Sequence, residues 1–325
     1  MKAMIIKSLG DADVFEQEER AKPQIKAGHL VVEVKATSVN PLDTMLRSVD
    51  TPWSANLPEI LHGDVAGIIS EVGEGVSQFK VGDEVYGCAG GIAGMDGALA
   101  EFMLVDADLM AQKPKSLSMR EAAALPLVSI TAWEALVDKM QVKAHDNVLI
   151  HGATGGVGHI AIQLAKSLGA VVTATTRSNN YETAQTLGAD HIVNSEVHSV
   201  AEYVELHTDN VGFDAVLDTI AGDHIQKSFE AARYNGSVAT ILPINDVLQV
   251  ALKGLSFHSV LMPIPMVYGI NRQAHGEILT RIAELVDAGK IKPLVDVSNF
   301  SIWEVTQGHQ RLQSGNAVGK VVLTV

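Results

Sequence analysis

The apolar positions of this chain change period once and then change back. Over roughly the first 120 residues they come in short runs punctuated by glycine, at 30–39, 65–72, 83–86 and 99–105, which predicts short strands joined by tight turns. A Ser-Met-Arg-Glu capping box at 118–121 then opens a long apolar helical stretch, 122–138, with Pro126 placed to kink or divide it. From Asn147 onward strand and helix alternate: strands at 148–151, 170–175, 191–194, 213–218 and 237–242, helices at 158–168, 181–187, 200–207 and 224–232. That alternation predicts a doubly wound parallel sheet. An apolar segment with two prolines, 262–268, and a helix at 273–287 follow. The closing residues, with a capped helix start at Ser301-Ile-Trp-Glu304 and a strand at 320–325, return to the first pattern. The prediction is an α/β chain of two domains, one from 1–122 plus 263–325 and one from 123–262, with the cleft between them as the default site.

The segment Val-Leu-Ile-His-Gly-Ala-Thr-Gly-Gly-Val-Gly at 148–158 brings chemistry into this pattern. An apolar strand runs into a glycine-rich turn and a helix leaves it. Gly152, Gly155 and Gly158 stand three apart, so the chain turns tightly, approaches a pyrophosphate with its backbone and packs helix on strand. The free N–H groups at the helix start then face the anion, helped by the helix dipole. With the second strand following Gly169, the βαβ unit is complete within the expected span of about 30 residues. The loop residues Gly152, Ala153, Thr154, Gly155, Gly156 and Val157 are the candidate dinucleotide contacts.

The end of the second strand bears on which dinucleotide binds. An NAD site commonly offers Asp or Glu there to the ribose 2′-hydroxyl, whereas an NADP site offers a cation and hydroxyls to the 2′-phosphate. Here the run is Thr175-Thr176-Arg177-Ser178-Asn179-Asn180, with no carboxylate before Glu182. Thr176, Arg177 and Ser178 therefore point to NADPH, with Arg177 gripping the phosphate. The alternative is that Arg177 is a solvated loop arginine.

Composition narrows the rest. A net charge of −14 repels nucleic acid and anionic membranes on average, so neither is an expected partner. A mean hydropathy of +0.17 and the lack of any apolar run long enough to span a bilayer fit a cytoplasmic protein. The first residues read as a strand rather than a leader. Cys88 is the single cysteine, which excludes an internal disulfide and a cysteine-built zinc site.

Several separate segments carry a resemblance that covers nearly the whole chain: Ser38-Val-Asn-Pro-Leu-Asp43, Asp64-Val-Ala-Gly67, Val72-Gly-Glu-Gly-Val76 with Val81-Gly-Asp-Glu-Val85, Gly97-Ala-Leu-Ala-Glu-Phe102, Ala123-Ala-Leu-Pro126 with Thr131-Ala-Trp133, the glycine loop, and Gly319-Lys-Val-Val322. Together they resemble the medium-chain dehydrogenase/reductase superfamily, and within it the zinc-independent, ζ-crystallin-like quinone oxidoreductases. The resemblance implies a GroES-like β-barrel domain plus a Rossmann domain, NADPH as hydride donor, and a dimer or tetramer.

It also implies where metal ligands would stand in the alcohol dehydrogenase branch: at Asn40, at Gly63 beside His62, and near Ser129. None of these is a zinc ligand, and the hydroxyl of that branch's proton relay is replaced by Leu42. A ketone needs its localised oxyanion stabilised by several kcal/mol from a Lewis acid. A quinone or an α,β-unsaturated carbonyl yields a delocalised anion for which hydrogen-bond donors suffice.

The expected catalytic residues are Asn40 as amide donor, Asp64 and Thr131, with Asp43 as a further polar residue of the cleft. Structural readings stay open for each: a turn residue for Asn40, a supporting carboxylate or cap for Asp64 and Asp43, a backbone-bonded hydroxyl for Thr131. The lysine and tyrosine that often hold the 2′-phosphate in relatives correspond to Asn180 and Ser195. In the loop 47–58, Trp53 either stacks on a ring or covers the barrel mouth.

The leading expectation is an NADPH-dependent, metal-free quinone or enone reductase. The alternatives are an enoyl-thioester (acyl-CoA) reductase and a non-catalytic NADPH-binding protein of the crystallin or RNA-binding kind. A homodimer is expected, because strand 237–242 as a sheet edge and the apolar run 259–267 need cover.

Overall fold

The computed structural model describes residues 1–220 and 222–325. It divides into two compact units. One comprises Met1–Leu127, Pro263–Gly289 and Pro293–Val325, and the other Val128–Met262 with Lys290–Lys292.

The first unit is built on strands, as the glycine-punctuated runs predict. A two-stranded antiparallel ribbon pairs β1 (Lys2–Ile5) with β2 (Glu16–Glu19). The main sheet contains β3 (His29–Ser38), β4 (Asp64–Val72), β5 (Glu84–Cys88), β6 (Phe102–Asp106), β7 (Met110–Gln112), β14 (Phe300–Ser301) and β15 (Val322–Thr324). The order along it is β14-β15-β3-β4-β5-β7, with β6 also on β3. The chain's tail thus returns as β15 antiparallel to β3, Val322 opposite Ser38. Two apolar clusters fill this unit, one around Leu30, Val65, Met103 and Leu109, the other around Ile5, Leu61, Leu99 and Leu323.

The capping box at Ser118 and Glu121 forms as predicted and opens α2 (Met119–Ala123), after the earlier α1 (Pro41–Ser48). Pro126 divides the apolar helical stretch: α3 spans Pro126–Trp133 and a π-helical segment runs Glu134–Lys139. The first unit runs on to Leu127, whose N–H donates to Asp64 at 2.8 Å.

The second unit is a six-stranded parallel sheet. Its strands are β8 (Asn147–His151), β9 (Val171–Thr176), β10 (His191–Asn194), β11 (Phe213–Asp218), β12 (Ala232–Thr240) and β13 (Ser256–Ser259), in the order β10-β9-β8-β11-β12-β13. The reversal of order beside β8 is the topological switch point of doubly wound folds. Its core gathers Leu149, Val193, Tyr203, Phe213, Val216 and Phe229. The expectation that strand 237–242 forms the sheet edge is corrected: β13 pairs with β12 and takes the edge. Ser256–Ser259 is only four residues long and lacks clean alternation, so periodicity does not mark it. The apolar run after it is half self-covered, since Val260, Met262 and Met266 are buried while Leu261 and Ile264 are exposed.

Candidate active site

In the first unit the predicted residues meet in one buried polar cluster. Asn40 is the N-cap of α1, with Pro41 opening the helix and Asp43 completing a capping box. The Asn40 N–H donates to Asp43 Oδ2 at 2.7 Å, so Asp43 is a cap. Burial pushes the Asp43 carboxyl up to about 7, opposed by its backbone hydrogen bond and reinforced by the charge of Asp64. Asp64, at the start of β4, is the hub. Its Oδ2 accepts from Ser38 Oγ at 2.6 Å and from Asn40 Nδ2 at 2.9 Å, and its Oδ1 from the Leu127 N–H at 2.8 Å.

Lys320 closes the cluster from the C-terminal segment. Its ammonium donates to the Asn40 side-chain oxygen and, at 3.2 Å, to the Val39 carbonyl, and lies 3.6 Å from Asp64 Oδ2. Burial draws its pKa down while Asp64 and Asp43 pull it up. Asn40, Asp64 and Lys320 are all buried. The Asn40 amide is therefore held inside its own network, oxygen on Lys320 and one hydrogen on Asp64. Lys320 and Ser38 were missed as members. Both lie in quoted segments, and only the pairing of β15 with β3 brings them together.

His62 sits beside this cluster with a left-handed backbone, φ 73°. Thr37 spends its hydroxyl proton on the Asp64 carbonyl at 2.6 Å, so His62 Nδ1, 3.3 Å away, is the donor to that hydroxyl. His62 Nε2 is then an acceptor, and the Nε2 of His309 donates to it at 2.9 Å. Burial first holds both imidazoles well below the usual value, His309 at about 3, with the adjacent His309 ring and Lys320 adding to this at His62 and Arg47 adding to it at His309.

These contacts decide how the positions fit a metal. The Asn40 oxygen, the atom that could ligate a metal, is taken by Lys320, Gly63 has no side chain, and both His62 nitrogens are paired. With an ammonium already lodged on Asn40, this donor set does not fit a zinc ion.

In the second unit the glycine loop has the backbone that a dinucleotide cradle requires. Gly152 turns at φ 77° directly after β8. A Cβ on Gly158 would lie 2.1 Å from the Gly152 carbonyl oxygen, so only glycine lets α4 (Gly156–Ser167) begin there. Gly155 is the N-cap, no acid occupies the first turn, and the leading N–H groups are free to meet an anion. Ala153 and Val157 are buried under the loop, and Thr154 accepts from Asn180 at 3.1 Å, tying the loop to the residues after β9. These residues fit a dinucleotide.

Thr176 ends β9, and Ser178 starts a short 3-10 turn. Arg177 is exposed, and the carboxylate of Glu196 stands 3.8 Å from its Nε. Reading β9 alone missed this acid, because it arrives from beyond β10. Thr131 lies buried in α3. Trp53 packs partly buried against the first core cluster.

Residues 26–115 match the family model for the alcohol dehydrogenase GroES-like domain, and residues 187–323 match the model described as zinc-binding dehydrogenase. The chain is 32% identical to the mitochondrial NAD(P)H oxidoreductase RTN4IP1 of Danio rerio, covering 100% of this chain and 91% of that protein. It is 33% identical to 2-methylene-furan-3-one reductase of Solanum lycopersicum, over 99% of this chain and 79% of that one. Among solved structures it resembles the quinone oxidoreductase from Coxiella burnetii with a TM-score of 0.87 and 28% identity, covering 100% and 99% of the two chains. A GroES-like unit, a parallel nucleotide sheet with its glycine cradle, and these relatives agree: the chain belongs to the medium-chain dehydrogenase/reductase superfamily and is an oxidoreductase that uses a nicotinamide dinucleotide.

Proposed function

We propose that this chain is an NADPH-dependent, metal-free reductase of quinones and α,β-unsaturated carbonyl compounds. The observation that carries this reading is the Asn40-Asp64-Lys320 cluster, in which Asn40, at a position the resemblance assigns to a metal ligand in the metal-dependent branch, is engaged by a carboxylate and an ammonium. Without a Lewis acid, acceptors whose product anion is delocalised are favoured. The relatives support the same class, since 2-methylene-furan-3-one is itself a conjugated enone and another relative is named for quinones.

Reduced nicotinamide supplies a hydride when bound. Asn40 is assigned the donor role toward the developing oxyanion, through the amide hydrogen that Asp64 does not take. Lys320, on the other end of the same amide, polarises it and strengthens its N–H as a donor. Asp64 fixes the amide's orientation, and Thr131 is the second candidate donor. Water supplies the proton that completes the product. Arg177 and Ser178 are assigned to the 2′-phosphate, which selects NADPH.

The working form is assigned as a homodimer, with edge strand β13 and the exposed Leu261, Ile264 and Tyr268 as the surface to be covered. Light scattering at micromolar concentration should report two chain masses. The deciding experiment for the activity is turnover of 9,10-phenanthrenequinone, a conjugated enone and its saturated ketone with NADPH and with NADH. Reduction of the first two and not of the third supports the reading. Equal rates on the saturated ketone overturn it.

A further inference from the structure

We infer that Glu196, from the turn beyond β10, opposes Arg177 and sets how strongly the chain prefers NADPH to NADH. The inference rests on the proposed cofactor site and names a residue that this reading did not contain. Parallel pairing puts Asn194 of β10 opposite Thr176 of β9, so the residues that follow the two strands emerge side by side. The turn is held in place by four hydrogen bonds: Ser195 N–H to the Thr176 carbonyl at 3.1 Å, Glu196 N–H to Asn194 Oδ1 at 3.0 Å, and the Val197 and His198 N–H groups to the Asn194 carbonyl at 3.3 and 3.0 Å. The Glu196 carboxylate accordingly stands 3.8 Å from Arg177 Nε.

Both side chains are about 60% exposed, 62% and 60%, which makes the pair easy to part. A phosphate dianion gripped by Arg177 must share the guanidinium with this carboxylate and sit beside it, a like-charge contact. An unphosphorylated ribose meets the same carboxylate as a hydrogen-bond acceptor for its hydroxyls, the service an acid at the end of the second strand renders in NAD sites. One residue thus weakens NADPH and supports NADH.

Dissociation constants for NADPH and NADH, read from dinucleotide fluorescence on the full chain, test this. Glu196 is exposed, so Glu196→Gln keeps the fold. At low salt it should tighten NADPH about three- to tenfold and weaken NADH by about threefold or less. The NADPH gain should shrink below about twofold near 0.5 M salt, where charges a few ångströms apart in water are screened. An unchanged ratio of NADPH to NADH affinity in Glu196→Gln overturns the inference, whatever Arg177→Ala does. Equal losses for both cofactors in Arg177→Ala overturn the Arg177 assignment, whatever Glu196→Gln does.

Discussion

Two of the chain's groups of opposed charges are built in opposite ways. Lys320 and Asp64 are buried, with Asn40, Ser38 and backbone groups filling the remaining valences of both. Arg177 and Glu196 stand mostly in water with a single contact between them. The difference concerns who supplies the partner. A buried charge must have its partner in the folded chain, because nothing else compensates its lost hydration. An exposed charge pays little for exchanging its partner, so a ligand can take over the interaction. The first kind of site holds a geometry, whereas the second chooses between ligands.

Breaking the buried group should have the largest effect. Lys320→Met leaves Asp64 and Asp43 without their cation and should destabilise the fold by about 3–5 kcal/mol. Lys320→Arg should recover part of this, since it restores the charge but not the shape. Glu196→Gln and Arg177→Ala, by contrast, should move stability by no more than about 0.5 kcal/mol. Urea midpoints for the four variants would check the contrast. Similar midpoints for Lys320→Met and Glu196→Gln would abolish it.

Asn40→Ala comes next. Removing one oxyanion donor should lower kcat by roughly 10- to 1000-fold, with KM for the quinone moving much less. Unchanged kcat with weakened NADPH would make Asn40 a framework residue and pass the donor role to Thr131.

Acid should expose the buried groups throughout the molecule. Burial holds His151 and His309 at about 3, and His62 is also held well below the usual value. In the unfolded chain these imidazoles take up protons near pH 6.5. Their contribution is complete above that pH and is lost as pH falls from 6.5 toward 3. Asp43, raised to about 7, has the opposite sign: its contribution is present below the unfolded value near 3.8 and is lost as pH rises through 7. Among these buried groups the histidines outnumber the carboxyl, so stability should fall as pH drops from 6.5 to 5. Urea midpoints that stay level across that range would show the imidazoles to be open to solvent.

The two regions also differed in how far they could be read from the sequence. The glycine cradle was legible because strand, turn and helix are consecutive, and Gly152 and Gly158 meet within seven residues of each other. The Asn40-Asp43 cap was legible as a local polar pair, although its role as a cap emerged only with the helix. Lys320 on Asn40 was not legible, since 280 residues separate them and only β15 returning to β3 joins them. Glu196 escaped for a related reason: its neighbour in space is set by strand register, which hydrophobic period does not specify for a buried parallel sheet. The extra strand β13 was too short to announce itself.

A smaller effect is expected at the exposed site. Arg177→Ala should weaken NADPH by about 1.5–3 kcal/mol, the worth of a charge-assisted hydrogen bond, and leave NADH almost unchanged. Direct titration of both cofactors would show it. Because Glu196 already occupies the guanidinium, the lower end of that range is favoured.

Metal removal should have the smallest effect, namely none. Zinc sites with catalytic roles need three protein ligands in tetrahedral register with an open fourth position. Here the amide of Asn40 is taken by Lys320 and Asp64, and His62 has Thr37 on one nitrogen and His309 on the other. Binding zinc at His62 Nε2 would require displacing His309 and placing a dication near a buried ammonium, a repulsion that low dielectric magnifies. Quinone reduction should therefore survive exhaustive chelation at full rate, and elemental analysis of the purified protein should find zinc far below one equivalent per chain. Zinc near one equivalent that leaves together with the activity would mean that the cluster rearranges around a metal, and the hydrogen-bonded reading of the buried site would fail.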